Sequence, residues 1–95
     1  MIEIMTFRLV PGGDEAGFEA ADRKVQTQFA YQQPGLVRRT AARGADGGWV
    51  VITLWQSEHD ADAAGEGWAD DPLAAEFMAF VDGSFVRSDR YATLD

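Results

Sequence analysis

The sequence contains no cysteine and a single histidine, His59, among its 95 residues. The absence of cysteine excludes disulfide bonds, thiolate nucleophiles and thiolate metal ligands. A chain without disulfides suits a reducing compartment, so we expect a cytoplasmic protein. No phosphate loop, nucleophile elbow or metal-binding motif is present either, and we therefore expect no metal site.

Basic residues are also scarce, since 8 lysines and arginines stand against 16 aspartates and glutamates, for a net charge of -8. Such a surface repels phosphate backbones and anionic lipid head groups, so we expect neither a nucleic-acid nor a membrane partner. Long apolar runs are missing too. The first ten residues include Glu3 and Arg8, which a signal peptide or a membrane span would not carry.

Apolar side chains, in contrast, are plentiful, at 46% of the residues, and 12% of the residues are aromatic. A chain of this length forms one domain, residues 1–95, with a small core of its own. The apolar load is large for such a core. Burial against a partner surface is one physical way to remove the surplus from water.

Four segments have the composition of β-strands. They are Ile2 to Val10, Leu36 to Arg43, Trp49 to Gln56 and Val86 to Leu94. The dipeptide Asp46-Gly47 lies between the second and third segments, and this pair is the usual signal of a tight hairpin turn. The second and third strands are therefore predicted to be antiparallel neighbours.

A first helix is predicted to begin after Asp14, a good N-cap residue, and to end before Pro34. Its apolar stripe recurs at helical spacing. The stripe consists of Phe18, Ala21, Val25 and Phe29.

A second helix is predicted to begin after Ser57, with Asp60 completing a capping-box pattern. Gly65 and Gly67 are expected to weaken it after about two turns. Asp71-Pro72 then restarts it. This second piece has an apolar stripe that includes Phe77 and Val81, and Gly83 is predicted to mark its C-terminal end.

The resulting order, β-α-β-β-α-β, is the split βαβ plan of an α+β ferredoxin-like fold with a four-stranded antiparallel sheet. The helices of this fold cover one face of the sheet only. The third predicted strand is nevertheless apolar on both faces: Trp49, Val51 and Trp55 alternate with Val50, Ile52 and Leu54. Because a solvated face would be polar, we expect the second face to be buried in a homodimer.

Several stretches of the chain carry a family resemblance. They are Ile2 to Leu9, Gln33 to Leu36, Gly48 to Ser57, and Asp71-Pro72 with Phe77 to Asp82. Together these stretches resemble the dimeric α+β barrel superfamily, in particular its small antibiotic-biosynthesis-monooxygenase-like domains. The resemblance covers nearly the whole chain and rests on packing and turn residues. It implies that two sheets close into an eight-stranded barrel across the dimer, with a small pocket between sheet and helices in each subunit.

This superfamily includes cofactor-independent monooxygenases that act on polycyclic phenols, and haem-degrading enzymes. The resemblance implies a cofactor-independent, monooxygenase-like protein that binds a small apolar or aromatic compound without metal or flavin. The alternative is a non-catalytic small-molecule-binding or stress-associated dimer. The haem-degrading pattern is not matched, because the first strand has no asparagine and His59 precedes Trp68 along the chain.

Cofactor-free oxygenation requires an aromatic-walled cavity with one or two groups that hold an oxyanion. The candidate acid/base residues are Asp22 and Tyr31, the candidate anion holders are Arg8 and Arg38, and the further cavity residues are Gln26, Trp55 and Trp68. Asp22 and Gln26 lie four residues apart, beside the apolar stripe, so both can border the same pocket.

A simpler interpretation assigns these residues no function. In that case the aromatic residues are core, and Asp22 pairs with an arginine. The strand arginines could likewise pair with Glu3 and Asp89 at the rim of the dimer instead of binding a ligand.

Overall fold

The computed structural model describes residues 1–95 and has the predicted β-α-β-β-α-β order. The four strands are β1 (Ile2–Phe7), β2 (Leu36–Arg43), β3 (Trp49–Trp55) and β4 (Arg87–Tyr91). All neighbouring strands are antiparallel, and their spatial order is β2-β3-β1-β4. The α+β ferredoxin-like fold class is therefore confirmed.

The first and last strands along the chain are shorter than predicted, because neither has a partner strand along its full predicted length. β1 ends at Phe7, and Leu9 instead forms an isolated bridge with Val81. β4 ends at Tyr91, which lies opposite Ile2 at the very start of β1. A strand extends only as far as its neighbour offers backbone groups to bond.

The hairpin between β2 and β3 is confirmed. Gly47 has a φ of 85°, a left-handed conformation that favours glycine. The Asp46 carboxylate accepts a hydrogen bond from the backbone N–H of Gly48 at 2.9 Å, which stabilises the turn.

The first helical segment begins as predicted and changes its hydrogen bonding partway. Asp14 caps α1 (Glu15–Lys24) by accepting a hydrogen bond from the Gly17 N–H at 3.0 Å. A π-helical turn (Val25–Phe29) and a 3-10 turn (Ala30–Gln32) follow directly. The whole predicted stripe is buried, namely Phe18, Ala21, Val25 and Phe29.

The helix α2 (Glu58–Ala69) runs through Gly65 and Gly67 without a break, so the predicted weakening does not end the helix at either glycine. Each glycine costs a helix about 1 kcal/mol, and packing of the helix against the sheet offsets such a cost. The predicted cap is confirmed: the Ser57 hydroxyl accepts the Asp60 N–H at 3.1 Å.

The restart at Asp71-Pro72 is confirmed, since the Asp71 carboxylate caps α3 (Pro72–Met78) by accepting from the Leu73 N–H at 2.7 Å. The assignment of Gly83 to the end of this helix was wrong. The helix ends at Met78, and Gly83 begins a separate 3-10 turn (Gly83–Phe85).

The main core lies between the sheet and the helices, and Phe18 is at its centre with no exposed surface. The Phe18 ring packs against Trp49 at 4.9 Å and against Phe77 at 5.1 Å between ring centroids. A smaller cluster forms around Trp55, where α2 crosses the sheet. No helix of the structure has the length and apolar character that a membrane crossing requires.

The opposite face of the sheet carries no helix. Registered pairs place Ile2 beside Leu54 and Ile4 beside Ile52 on that face. Ile52 of β3 is 37% exposed, and Tyr91 of β4, which lies opposite Ile2, is 52% exposed. This apolar surface, which we call the outer face, is uncovered in the single chain.

Candidate functional site

A cavity of about 230 Å³ lies between the helix-covered face of the sheet and the helices. It occupies the region where the main core meets the smaller cluster around Trp55. Most of its wall is apolar and aromatic. The principal apolar side chains are Met5, Phe29, Val51, Trp55, Trp68 and Phe77.

The small residues of α2 leave room for this cavity. Ala61, Ala64, Gly65 and Trp68 all line it, and their i, i+3, i+4, i+7 spacing places them on one helix face. A Cβ atom built on Gly65 would meet no other atom within 4 Å. The sequence contains this stripe of small residues, but the prediction treats Gly65 only as a residue that weakens the helix and not as part of a cavity wall.

The buried cation of the cavity wall is Arg39 of β2, which is only 6% exposed. Its Nη2 donates to the Asp22 Oδ1 at 2.7 Å, and its Nη1 donates to the Gln26 Oε1 at 2.7 Å. The guanidinium carbon also lies 6.0 Å from the centre of the Phe77 ring. These contacts fix the guanidinium in one position.

The backbone of Arg39 is also held by side chains of the first helical segment, Gln26 and Tyr31. β2 is an edge strand, so its outward-facing peptide groups need partners other than a strand. The Tyr31 hydroxyl accepts from the Arg39 N–H at 3.0 Å and lies 3.3 Å from the Arg39 carbonyl oxygen, to which it can donate. The Gln26 Nε2 donates to the same carbonyl at 3.1 Å.

A second polar group of the cavity wall is Glu3 of β1. Its Oε1 accepts from the Trp55 indole N–H at 3.3 Å, and its Oε2 accepts from Arg90 Nε at 3.0 Å. Arg90 also donates to Asp62 of α2 at 2.6 Å and so connects β4 to the helix that closes the cavity. Hydrogen bonds from Arg90 to the Asp62 and Glu3 carboxylates raise the pKa of Arg90 above its ordinary value.

Thr53 of β3 lies between these two groups on the cavity wall and is 8% exposed. Its hydroxyl forms no hydrogen bond within the chain. Every fully enclosed side-chain nitrogen or oxygen atom of the protein has a hydrogen-bond partner, so the Thr53 hydroxyl is not fully enclosed. The hydroxyl therefore touches open space, and the cavity is the space that Thr53 lines. A buried hydroxyl in this situation can hydrogen-bond a molecule in the cavity.

Five of the seven predicted site residues fall into two groups. Trp55 and Trp68 line the cavity. Asp22, Gln26 and Tyr31 come together around Arg39, as the contacts above show, but none of the three lines the cavity itself. The structure thus has the pairing of Asp22 with an arginine that the simpler interpretation anticipated.

The two arginines predicted to hold an anion lie elsewhere. Arg8 pairs with Asp46 at 3.1 Å on the exposed hairpin. Arg38 is exposed on the outer face, because β2 alternates and its neighbour Arg39 points to the helices. A register shift between Leu36 and Arg38 contributes to this arrangement. The sequence gives no signal for that shift, so it could not show which arginine enters the cavity.

Two other strand arginines form the ion pairs considered above, Arg87 with Asp89 and Arg90 with Glu3, and Arg43 pairs with Glu15. His59 is exposed in the first turn of α2. No group of three or more histidine, aspartate or glutamate side chains is arranged to hold a metal ion.

No protein-family profile matches the sequence, and no curated protein does. Several solved structures have the same fold. A point variant of SnoaB, a cofactor-independent oxygenase from Streptomyces nogalater, superposes with a TM-score of 0.81 at 22% identity, over 99% of this chain and 92% of that one.

Two further structures give similar agreement. A putative antibiotic biosynthesis monooxygenase from Nitrosomonas europaea has a TM-score of 0.76 at 19% identity, over 99% of this chain and 98% of that one. Rv0793 from Mycobacterium tuberculosis has a TM-score of 0.74 at 20% identity, over 99% and 94%. The chain therefore shares its fold with these solved structures, which include a cofactor-independent oxygenase and a putative antibiotic biosynthesis monooxygenase.

Proposed function

We propose that this protein binds a small aromatic compound in the cavity and oxidises it with molecular oxygen, without metal or flavin. The observation that carries the proposal is the buried Arg39 guanidinium in a wall that is otherwise mostly aromatic and apolar. An aromatic anion needs both features, since its ring favours an apolar wall and its charge favours a fixed cation.

Arg39 takes the role of anion holder that the sequence suggested for Arg8 or Arg38. Its N–H groups outnumber its two side-chain partners, so donors remain for a ligand oxygen. In this proposal Asp22 and Tyr31 keep Arg39 in place, and Trp55 and Trp68 form walls. A cation that is fixed before the anion forms stabilises it without reorganisation, which is how an oxyanion hole lowers a barrier.

The proposed reaction needs no cofactor because the substrate supplies the electrons. A deprotonated phenol-type substrate reduces O2, one oxygen atom enters the substrate as a carbonyl oxygen, and the other leaves as water. For a substrate methylene group the balance is CH2 + O2 → C=O + H2O. The shared fold with a cofactor-independent oxygenase supports this reaction class as the first to test.

A non-catalytic ligand-binding role is the second candidate. Asp22 and Tyr31 are both engaged with Arg39, and neither lines the cavity, so neither is in place to take a substrate proton directly. A cavity that binds without turnover would have this arrangement.

Binding is tested by titrating 2-naphthol and 2-naphthoate while following the fluorescence of the cavity tryptophans. We expect binding to the wild type and to Gly65→Ala, and loss of binding in Gly65→Leu, because Gly65 lines the cavity and a leucine side chain at this position would occupy part of it. Absence of binding, or equal binding by Gly65→Leu, would overturn the proposal.

Turnover is tested with chelator-treated protein and a panel of naphthol substrates in an oxygen electrode. If the protein is a monooxygenase, we expect one O2 consumed per carbonyl product and no release of hydrogen peroxide. Binding without oxygen consumption across such a panel would favour the non-catalytic role.

We also propose that the outer face is buried against a second copy of this chain. A two-fold dimer requires a self-complementary surface. The outer face meets that requirement, because an apolar centre with Ile4 and Ile52 is flanked by both Arg38 and Asp89.

Light scattering should give twice the mass of the chain. Ile52→Glu should reduce it to one chain, while Ala63→Glu, on the exposed side of α2, should not.

A further inference from the structure

The polar groups of the cavity form a row across the sheet. Arg39 is paired in register with Thr53, Thr53 with Glu3, and Glu3 with Arg90, so the row crosses all four strands in spatial order. Side chains at directly opposed positions point to the same face of a sheet. Of this row, Arg39, Thr53 and Glu3 line the cavity.

The row places a cation and an anion at separate points of one wall. Adjacent strands lie about 4.8 Å apart, so the Cα atoms of Arg39 and Glu3, two strands apart, are separated by about 10 Å. The Thr53 hydroxyl lies between them without a protein partner. A ligand in the cavity therefore meets donors at one end, a hydroxyl in the middle and an acceptor at the other end.

Glu3 is positioned to accept a hydrogen bond from a ligand. Each of its oxygens receives one N–H, from Trp55 and from Arg90. A carboxylate has about four acceptor positions, so positions remain free for a ligand hydroxyl. Its two partners orient the carboxylate, as Asp22 and Gln26 orient Arg39 at the opposite end.

The size of the cavity limits the ligand to a small one. Cavities that enclose drug-sized ligands have volumes of about 300–1,000 Å³. At about 230 Å³, this cavity suits one ring or two fused rings rather than a larger polycycle.

We infer that the ligand is a one- or two-ring aromatic compound with an anionic oxygen at one edge and a hydroxyl group at the opposite edge. The anionic oxygen lies on Arg39, and the hydroxyl donates to Glu3. This inference rests on the proposed function, which requires an aromatic anion in the cavity, and adds the second oxygen and the acceptor that recognises it.

Matched ligand pairs test this inference on the wild-type protein. 6-Hydroxy-2-naphthoate is compared with 2-naphthoate, and 2,6-dihydroxynaphthalene with 2-naphthol, by isothermal titration calorimetry. We expect the distant hydroxyl to tighten binding about tenfold in at least one pair, because hydrogen bonds to charged groups are the stronger ones. The pair with the gain identifies the anionic oxygen as carboxylate or phenolate. 3-Hydroxy-2-naphthoate, whose hydroxyl adjoins the carboxylate, should show no comparable gain.

A variant then assigns the gain to Glu3. Glu3→Met should reduce the effect of the distant hydroxyl, measured as the ratio of the two Kd values within one matched ligand pair, to less than about twofold. Asp62→Asn is the matched control, because it also weakens the hold on Arg90 but keeps Glu3 and should keep the gain. Far-ultraviolet circular dichroism confirms that each variant is folded.

The outcomes separate the two proposals. If the hydroxyl-free ligands bind but the distant hydroxyl adds nothing in either pair, the inference about Glu3 is overturned and the proposed function stands. A tenfold gain that persists in Glu3→Met would also overturn the inference. If none of these aromatic ligands binds, the proposed function itself fails, and the inference fails with it.

Discussion

The Asp22 carboxylate and the Arg39 guanidinium form the most buried ion pair of this protein, with 2.7 Å between Oδ1 and Nη2. Their side chains are 19% and 6% exposed, whereas both partners in each of the other pairs are at least 30% exposed. The pair connects α1 to the edge strand β2 and positions the cation of the cavity wall.

We expect Asp22→Asn to lower the free energy of unfolding by about 2 kcal/mol. Loss of one partner of a fully buried pair costs about 3–5 kcal/mol, and here the asparagine oxygen can still accept one hydrogen bond. Urea denaturation measures the change. The control is Glu76→Gln in the exposed Lys24 pair, for which we expect less than about 0.5 kcal/mol. Equal effects of the two substitutions would show that burial of the Asp22 pair is energetically unimportant.

Tyr31→Phe should destabilise the protein by about 1 kcal/mol, the usual contribution of a hydrogen bond. The substitution removes the hydroxyl that accepts the Arg39 N–H, so this amide should also exchange faster with deuterium. Tyr91→Phe is the control, because the Tyr91 hydroxyl forms no hydrogen bond within the chain. If protection of the Arg39 amide is unchanged in Tyr31→Phe, the contact does not hold the edge strand.

Alanine at two glycines should have opposite effects on stability. At Gly35, where φ is 81°, a Cβ would overlap the Asp60 side chain that takes part in the α2 cap, so we expect Gly35→Ala to cost about 1–3 kcal/mol. Gly65 lies within α2 with open space around it, so Gly65→Ala should stabilise the protein by about 0.5–1 kcal/mol. Thermal unfolding measures both. A stabilising Gly35→Ala would contradict the left-handed turn at that position.

The hairpin carboxylate should make stability depend on acid pH. The hydrogen bond from the Gly48 N–H, together with the charge of Arg8, lowers the pKa of Asp46 below its ordinary value of 3.8. The unfolded chain therefore takes up this proton first as the pH falls. The stabilisation by Asp46 is present above the ordinary pKa and is lost as the pH falls through the lower, folded-state value.

Melting temperatures at pH 6 and at progressively lower pH test this expectation with Asp46→Asn, which retains the turn and removes only the charge. The variant should be less stable than the wild type at pH 6, and the difference should disappear in acid. Asp70→Asn, at a residue without a side-chain hydrogen bond, is the control. A difference that stays constant across the pH range would contradict the role of the Asp46 charge.

Local patterns in the sequence predicted most of the secondary structure. The Asp46-Gly47 turn, the caps at Asp14 and Ser57 and the restart at Asp71 each depend on a few adjacent residues, and all were confirmed. In one place packing outweighed a local preference. α2 passes through Gly65 and Gly67 because its contact with the sheet offsets their cost.

The cavity could be predicted only in part. Trp55 and Trp68 were identified, since large aromatic residues in a small domain are natural wall residues, and both line it. Arg39 and Glu3 were not identified as cavity residues. Their placement depends on strand register, and a one-residue change in register moves a side chain to the opposite face of a sheet.

The sequence by itself determined the order of the elements, the high content of apolar residues and the apolar character of both faces of β3, because composition, spacing and turn chemistry act locally. Only the tertiary structure decided that Arg39 rather than Arg38 enters the cavity and that Arg39, Thr53 and Glu3 stand in one row. These relationships join residues far apart in the chain, and no local pattern encodes them, because pairing of β-strands fixes them only when the whole sheet has formed.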